Sequence, residues 1–122
     1  MSNRSFSKSC RLLTPEDYKP VFDKPDFRIN SPEILLLVRR NTLVEPRLGL
    51  VVAKKQIKFA HRRNRAKRIL RESFRHQEFN FSVDIVVLVR QKADLMDNKQ
   101  LFEHVDSQWT RLARKMRQHP DS

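Results

Sequence analysis

The residues best suited to chemistry in this sequence form a cationic segment, residues 53–77, whose side chains can donate hydrogen bonds to phosphate oxygens. Ten basic residues and one acidic residue give the segment a net charge of +9, out of +12 for the whole 122-residue chain. The acid is Glu72, and the bases are Lys54, Lys55, Lys58, Arg62, Arg63, Arg65, Lys67, Arg68, Arg71 and Arg75. Because unbalanced like charges repel one another, this density favours a surface that binds a polyanion over an ordinary solvated helix face.

Residues 60–77 of this segment have the periodicity of an amphipathic helix. The apolar stripe consists of Ala66, Ile69, Leu70, Ser73 and Phe74. The opposite face holds Asn64, Arg68, Arg71 and Arg75, with Arg63 and Lys67 on one flank and Arg65 on the other. The spacing predicts a helix that packs one face against a core and presents the other face to the polyanion.

Nucleic acid fits this surface better than a membrane does. A helix that inserts into a membrane surface needs large apolar side chains, whereas Ala66 and Ser73 suit close packing on a sheet. Predicted strands on both sides of the basic helix disfavour the helix-turn-helix pair that reads duplex DNA. We therefore expect a nucleic-acid partner and no membrane partner, and duplex DNA bound through its major groove remains an alternative at this point. If the nucleic acid is RNA, two functions remain possible. The chain could assemble with one structured RNA, or it could be a general RNA-binding or ribosome-associated module.

A second candidate site is an aromatic stripe in a predicted first helix. Tyr18, Val21 and Phe22 follow one another at i, i+3 and i+4, so they share one helix face. This face could belong to the core, or its rings could stack on unpaired bases. The spacing alone does not separate the two interpretations.

The start of this first helix has clear local signals. Thr14 suits the N-cap, Pro15 the first helical position and Asp17 the capping-box position. Pro20 removes a hydrogen bond inside the helix, which predicts a short or kinked helix that ends near residues 23–25.

No residue pattern indicates protein-borne catalysis or a metal site. The histidines at 61, 76, 104 and 119 do not pair at i+3 or i+4, and Cys10 is the single cysteine. The single glycine excludes a glycine-rich phosphate loop, and one cysteine excludes an internal disulfide. The chain has no apolar stretch of about 18 residues and no secretory signal. We expect a soluble cytoplasmic protein with no catalytic and no metal-binding residues of its own.

The remaining pattern predicts the elements that hold these sites. Strands are expected at residues 33–40, 47–54 and 83–89, with a short edge strand at residues 27–30 and a hairpin loop at residues 41–46. Gly49 inside a strand predicts a bulge or a close backbone approach. The apolar residues at 83–89 predict a strand that is buried on both faces. A last helix begins at Asp97 and carries Trp109 in its apolar stripe.

This order of elements predicts an α+β fold, a two-layer sandwich with helices packed on a small sheet. We expect one RNA-binding domain at residues 12–116, preceded by a flexible basic arm at residues 1–11 and followed by a tail at residues 117–122.

At residues 63–74, RNRAKRILRESF, the sequence resembles the signature motif of the protein subunit of bacterial ribonuclease P. Residues 47–55 (RLGLVVAKK), 12–22 (LLTPEDYKPVF) and 84–90 (DIVVLVR) resemble other parts of that family. The similarity covers about residues 10–115, and its spacing is similar to the proteobacterial form.

The resemblance implies a ribosomal-protein-like fold with a small mixed sheet, three helices and a left-handed βαβ crossover. It also implies a ribonucleoprotein endonuclease that removes the 5′ leader of precursor tRNA. In that family the catalytic centre is in the RNA subunit, and Mg²⁺ is held by the RNA and the substrate. The protein alone is inactive in that family, and the resemblance implies that its partners are the catalytic RNA subunit and precursor tRNA, with no DNA and no membrane among them.

Matching positions carry the family's binding residues onto this chain. The RNA-binding set would be Arg47, Lys54, Lys55, Arg63, Asn64, Arg65, Lys67, Arg68 and Arg71. Tyr18 and Phe22 match the aromatic residues that receive the leader.

Overall fold

Three α-helices and four strands make up the computed structural model, which describes residues 11–43, 45–78 and 81–119. In chain order the elements are α1 (Pro15–Asp23), β1 (Phe27–Asn30), β2 (Ile34–Arg40), β3 (Arg47–Val51), α2 (Ala60–Arg75), β4 (Val83–Val89), a 3₁₀ helix (Gln91–Leu95) and α3 (Asn98–Gln118). The α+β class, the three helices and the mixed sheet are confirmed. Residues 1–10 of the expected arm and residues 120–122 of the expected tail lie outside the described residues. Helix α3 includes the first two residues assigned to that tail.

Helix α1 begins at a reciprocal capping box. The backbone N–H of Asp17 donates to Thr14 Oγ1 at 3.3 Å, and Asp17 Oδ2 accepts from the backbone N–H groups of Leu13 and Thr14 at 2.8 and 3.1 Å. These bonds satisfy donors that a helix start otherwise leaves unpaired. The helix continues through Pro20 and ends at Asp23, so both predicted ends are confirmed.

The sheet has the strand order β1-β2-β4-β3. Strand β4 is antiparallel to β2 and parallel to β3. The predicted hairpin at residues 41–46 is therefore wrong, because β4 separates the two strands that this loop joins. Strand β4 is apolar on both faces and so occupies the doubly buried position. The end of β2 binds β4 instead, since the backbone N–H of Asn41 donates to Ser82 O at 2.9 Å.

Helix α2 connects the neighbouring parallel strands β3 and β4, which forms the βαβ unit that the family resemblance implies. Gly49 in β3 does not have a positive φ, so its backbone requires no glycine. The close approach expected there is confirmed, and its partner belongs to α1, as shown below.

The larger core lies between one face of the sheet and the pair of helices α2 and α3. Trp109 of α3 is 1% exposed, and its Nε1–H donates to Ser73 Oγ of α2 at 2.8 Å. The ring of Phe74 meets the Trp109 ring edge to face, with 6.0 Å between centroids. The predicted stripe of α2 is confirmed, since its buried residues are Ala66, Ile69, Leu70, Ser73 and Phe74.

Helix α1 lies on the opposite face of the sheet. Alternation along β2 turns Leu36 toward α2 and α3 and turns Leu37 toward α1, where it packs with Val21 and Val86. Of the predicted aromatic stripe, Val21 is fully buried and belongs to the core. The two aromatic residues remain accessible to solvent.

Candidate nucleic-acid interface

Two arginines on the outer face of α2, Arg68 and Arg71, are neutralised by no acidic side chain that the structure describes. Asn64, Arg68 and Arg71 are exposed, and within the described chain their side chains make no hydrogen bond or ion pair. Glu72 is occupied elsewhere, because Arg75 donates to both of its oxygens at 2.9 and 3.0 Å. Hydrogen bonds from Arg75 and His76 hold the pKa of Glu72 below its ordinary value. The exposed face therefore keeps its positive charge.

The turn between β3 and α2 adds two more exposed cations. The backbone N–H groups of Gln56 and Ile57 both donate to Ala53 O at 3.0 Å, and Ile57 is buried in the core. This anchoring leaves the side chains of Lys54 and Lys55 exposed, without a hydrogen bond or ion pair to any described residue. Both ammonium groups thus precede the start of α2.

Three arginines at the start of α2 are held by the protein itself. Arg63 Nη1 donates to the backbone carbonyls of Ile57 and Lys58 at 3.1 and 2.7 Å. Arg65, with 15% of its side chain exposed, donates to Asn98 Oδ1 at 2.6 Å and to Met96 O at 3.0 Å. Burial and the nearby charge of Arg62 lower the pKa of Arg65. These contacts tie α2 to the preceding turn and to the start of α3.

Arg62 is the third of these arginines, and it binds Asp94, a partner that the sequence did not predict. Arg62 Nε donates to Asp94 Oδ1 at 2.7 Å and its Nη2 donates to Asp94 O at 2.8 Å. Asp94 lies in the 3₁₀ helix, and no local spacing relates it to α2.

Arg47 is held even more completely. Its Nε and Nη2 donate to the two carboxylate oxygens of Asp84, each at 2.8 Å, and Asn41 Nδ2 donates to the same carboxylate at 2.7 Å. The hydrogen bond to Asp84 raises the pKa of Arg47 above its ordinary value. The sequence reasoning missed Asp84, although a lone acid inside an apolar strand signals a buried partner.

The two predicted aromatic residues form a stacked pair on α1, in which Tyr18 is half-buried against β3 and Phe22 is exposed. The rings of Tyr18 and Phe22 are 6.4 Å apart at a 19° interplanar angle, and Phe22 is 40% exposed. The Tyr18 ring lies over Gly49, where an added Cβ would come within 2.6 Å of Tyr18 Cε2. Glycine at this position is thus explained by the space that the tyrosine ring occupies.

A surface groove joins the aromatic site to the flank of α2. Tyr18 lines one side, Lys67 and Arg71 line the other, and Leu48 and Leu50 of β3 also border it. The structure thus brings Tyr18 next to two of the predicted RNA-binding residues. Phe22 stacks on Tyr18 without lining the groove.

The chain preceding α1 runs along the open edge of β3 beside this groove. The backbone N–H of Leu12 donates to Leu48 O at 3.0 Å, and Arg11 forms a parallel bridge with Leu48. Arg11 itself lines the groove and adds a third cation to it.

Neither a metal-binding cluster nor a membrane-spanning helix is found among the residues that the structure describes. Among residues 11–43, 45–78 and 81–119, no group of three or more His, Cys, Asp or Glu side chains could hold a metal ion. None of the helices in that same part of the chain is both long and apolar enough to span a membrane.

Comparison with known proteins gives consistent matches. The family model described as Ribonuclease P matches residues 6–113. The ribonuclease P protein component of Histophilus somni is 47% identical over 115 residues, which cover 93% of this chain and 96% of the relative. The one from Pseudomonas syringae is 46% identical over 113 residues, 92% of this chain and 85% of the relative. The solved RNase P protein of Staphylococcus aureus has a TM-score of 0.73 at 30% identity, with 80% of this chain and 93% of that chain covered.

Proposed function

This chain belongs to the ribonuclease P protein family, and from that premise we propose that it binds the enzyme's RNA subunit and the 5′ leader of precursor tRNA. Proteins of this family are components of an endoribonuclease complex that acts in tRNA 5′ processing. The proposal assigns the RNA subunit to the outer face of α2 and the leader to the groove beside Tyr18.

The observation that carries the proposal is the set of unneutralised side chains around α2. Phosphate oxygens accept hydrogen bonds from exposed arginine and lysine, and each neutralised phosphate releases counterions, which drives binding. The direct contacts are proposed for Lys54, Lys55, Asn64, Lys67, Arg68 and Arg71. Arg47, Arg63 and Arg65 would act mainly by holding this surface in shape, because several of their donor atoms already bind protein acceptors.

The groove beside α1 suits an unpaired nucleotide strand. Tyr18 and Phe22 offer aromatic faces on which bases stack, while Lys67 and Arg71 offer cations to the backbone of the same strand. A leader in this groove would lie directly beside the RNA subunit on α2, so both RNAs would contact one continuous surface.

Catalysis is proposed to reside in the RNA partner. Mg²⁺, held by that RNA and by substrate phosphates, would activate the water that hydrolyses the phosphodiester. The donor set of the protein supports this division, because a cationic surface repels a divalent metal ion and attracts the phosphates. The role of this chain would be to bind and orient RNA in the cytoplasm, where precursor tRNA is processed.

Identification of the RNA that this protein binds in cells tests the proposal. The tagged protein, purified from its host under moderate salt, should retain one abundant structured RNA and precursor tRNAs that carry 5′ leaders. Arg68→Ala with Arg71→Ala should release that RNA at lower salt. Recovery of ribosomal RNA instead would favour the general RNA-binding or ribosome-associated alternative and would contradict the proposal.

A further inference from the structure

Phe59 is the residue that the fold and the proposed function leave unexplained. It occupies the N-cap of α2 with 58% of its surface exposed. N-cap positions favour Ser, Thr, Asp or Asn, whose side chains bond to the first helical N–H groups, and a phenyl ring cannot do so. The ring therefore contributes neither a cap nor substantial core packing.

Two polar neighbours gather at this ring. The His61 ring lies 5.9 Å from the Phe59 ring, centroid to centroid, at a 31° interplanar angle. Lys58 Nζ lies 5.6 Å from the Phe59 centroid, within the range of a cation–π contact. Residues 53–62 contain no acid, so every charged residue in the stretch that carries this aromatic pair is basic.

The backbone that carries Phe59 is fixed from both sides. Before it, Ile57 is buried in the core, and Arg63 Nη1 binds the carbonyls of Ile57 and Lys58. After it, Phe59 O accepts from the backbone N–H groups of Arg62 and Arg63 at 3.1 and 3.0 Å. A side chain whose backbone is already fixed before binding loses less conformational entropy when a ligand stacks on its ring.

We propose that Phe59 and His61 form a second base-stacking platform, which takes an unpaired nucleobase of the RNA bound along α2. This inference rests on the proposed function for the identity of that RNA. The platform is separate from the groove that Tyr18 lines. Lys67 borders that groove, and Phe59 precedes Lys67 by eight residues, which is about 12 Å along the helix. The nearby Lys54 and Lys55 would neutralise the phosphates of the same nucleotide strand, which favours RNA over an apolar protein partner.

Substitution of Phe59 separates stacking from charge. Phe59→Ala should weaken binding of the ribonuclease P RNA about 5- to 100-fold, because one stacked base is lost. The slope of log affinity against log salt should stay the same, since no phosphate contact is removed. Phe59→Tyr should restore binding, because it retains the aromatic face. Leu43→Ala is the matched control, since Leu43 is also an exposed apolar residue (46%) but lies in the β2–β3 connection.

Fluorescence of a Phe59→Trp variant gives an independent readout. Trp109, the natural tryptophan, is buried and would provide a constant background. Stacking of a base should quench the new tryptophan when ribonuclease P RNA or a single-stranded oligouridylate is added. The inference would be overturned if Phe59→Ala bound the ribonuclease P RNA as tightly as the wild type. It would also be overturned if Phe59→Trp bound that RNA tightly without quenching of the new tryptophan. If the Phe59→Trp variant bound the oligouridylate with quenching while neither it nor the wild-type protein bound the ribonuclease P RNA, the platform would stand and the proposed partner would be wrong.

Discussion

Individual cations of α2 differ in what their donor atoms contact, and this difference decides how each should respond to substitution. Arg68 and Arg71 are exposed and make no hydrogen bond to any described residue, whereas Arg63 and Arg65 donate to protein carbonyl and amide oxygens. The sequence predicted which faces of α2 these residues occupy, because helical periodicity is a local property. It did not predict the partners of Arg65, because Met96 and Asn98 lie about thirty residues away.

Removal of the exposed cations should make RNA binding less sensitive to salt. Arg68→Ala and Arg71→Ala should each make the slope of log affinity against log salt shallower by nearly one unit, since each loses about one phosphate contact. Titrations of the RNA subunit at several salt concentrations measure this slope. Arg114→Ala is the control, because Arg114 is exposed on α3 and lines a different groove with Arg28. An unchanged slope in both α2 variants would mean that these side chains do not contact phosphate.

A methyl group at Gly49 should disturb the aromatic site without touching RNA itself. Gly49→Ala would place Cβ 2.6 Å from Tyr18 Cε2, so the ring must move away from β3. Both Gly49→Ala and Tyr18→Ala should weaken the affinity of the protein–RNA complex for leader-bearing precursor tRNA. We expect a loss of about 1–3 kcal/mol for each lost stack. Affinity for leaderless tRNA should not change, and this serves as the matched ligand. If both variants supported precursor tRNA binding as tight as that of the wild-type protein, the role of Tyr18 would be purely structural.

Among the elements, the helices were predictable and the strand pairing was not. The caps of α1 and α3 depend on residues three positions apart, such as Thr14 with Asp17 and Asp97 with Gln100. The insertion of β4 between β2 and β3 depends on contacts across more than thirty residues, such as Arg47 with Asp84. A turn-like loop at residues 41–46 carries no information about that partner, so the hairpin expectation failed.

The capping box of α1 should make stability depend on pH. Hydrogen bonds from the backbone N–H groups of Leu13 and Thr14 hold the pKa of Asp17 below its ordinary value of 3.8. A lowered pKa in the folded state means that the stabilisation is complete above about pH 4 and is lost as the pH falls through the folded-state pKa. Asp17→Asn should therefore destabilise the fold by about 1 kcal/mol at neutral pH, and by less in acid.

Urea unfolding at neutral and acidic pH measures this difference. Glu16→Gln is the control, because Glu16 lies in the same helical turn, and its side chain binds no residue that the structure describes. A difference between wild type and Asp17→Asn that stayed constant down to pH 3 would contradict the assignment of this stabilisation to the carboxylate.

In the whole molecule, the sheet separates two packing surfaces, and its β3 edge lies between the two proposed RNA sites. Helix α1 covers one face, α2 and α3 cover the other, and the groove beside β3 connects Tyr18 with Lys67 and Arg71. This arrangement would place a leader and an RNA subunit side by side on one protein. Composition predicted a polyanion partner from the net charge of +12, but the adjacency of the two sites follows only from the fold.

A reconstituted cleavage reaction tests directly whether this protein assists an RNA subunit in removing the 5′ leader. The protein, the ribonuclease P RNA of the Histophilus somni relative, and both together should be incubated with leader-bearing precursor tRNA and Mg²⁺. We expect faster removal of the 5′ leader by the two together than by the RNA alone, and no cleavage by the protein alone. Metal-dependent cleavage by the RNA-free protein, or no stimulation of an RNA that the protein binds, would contradict this expectation.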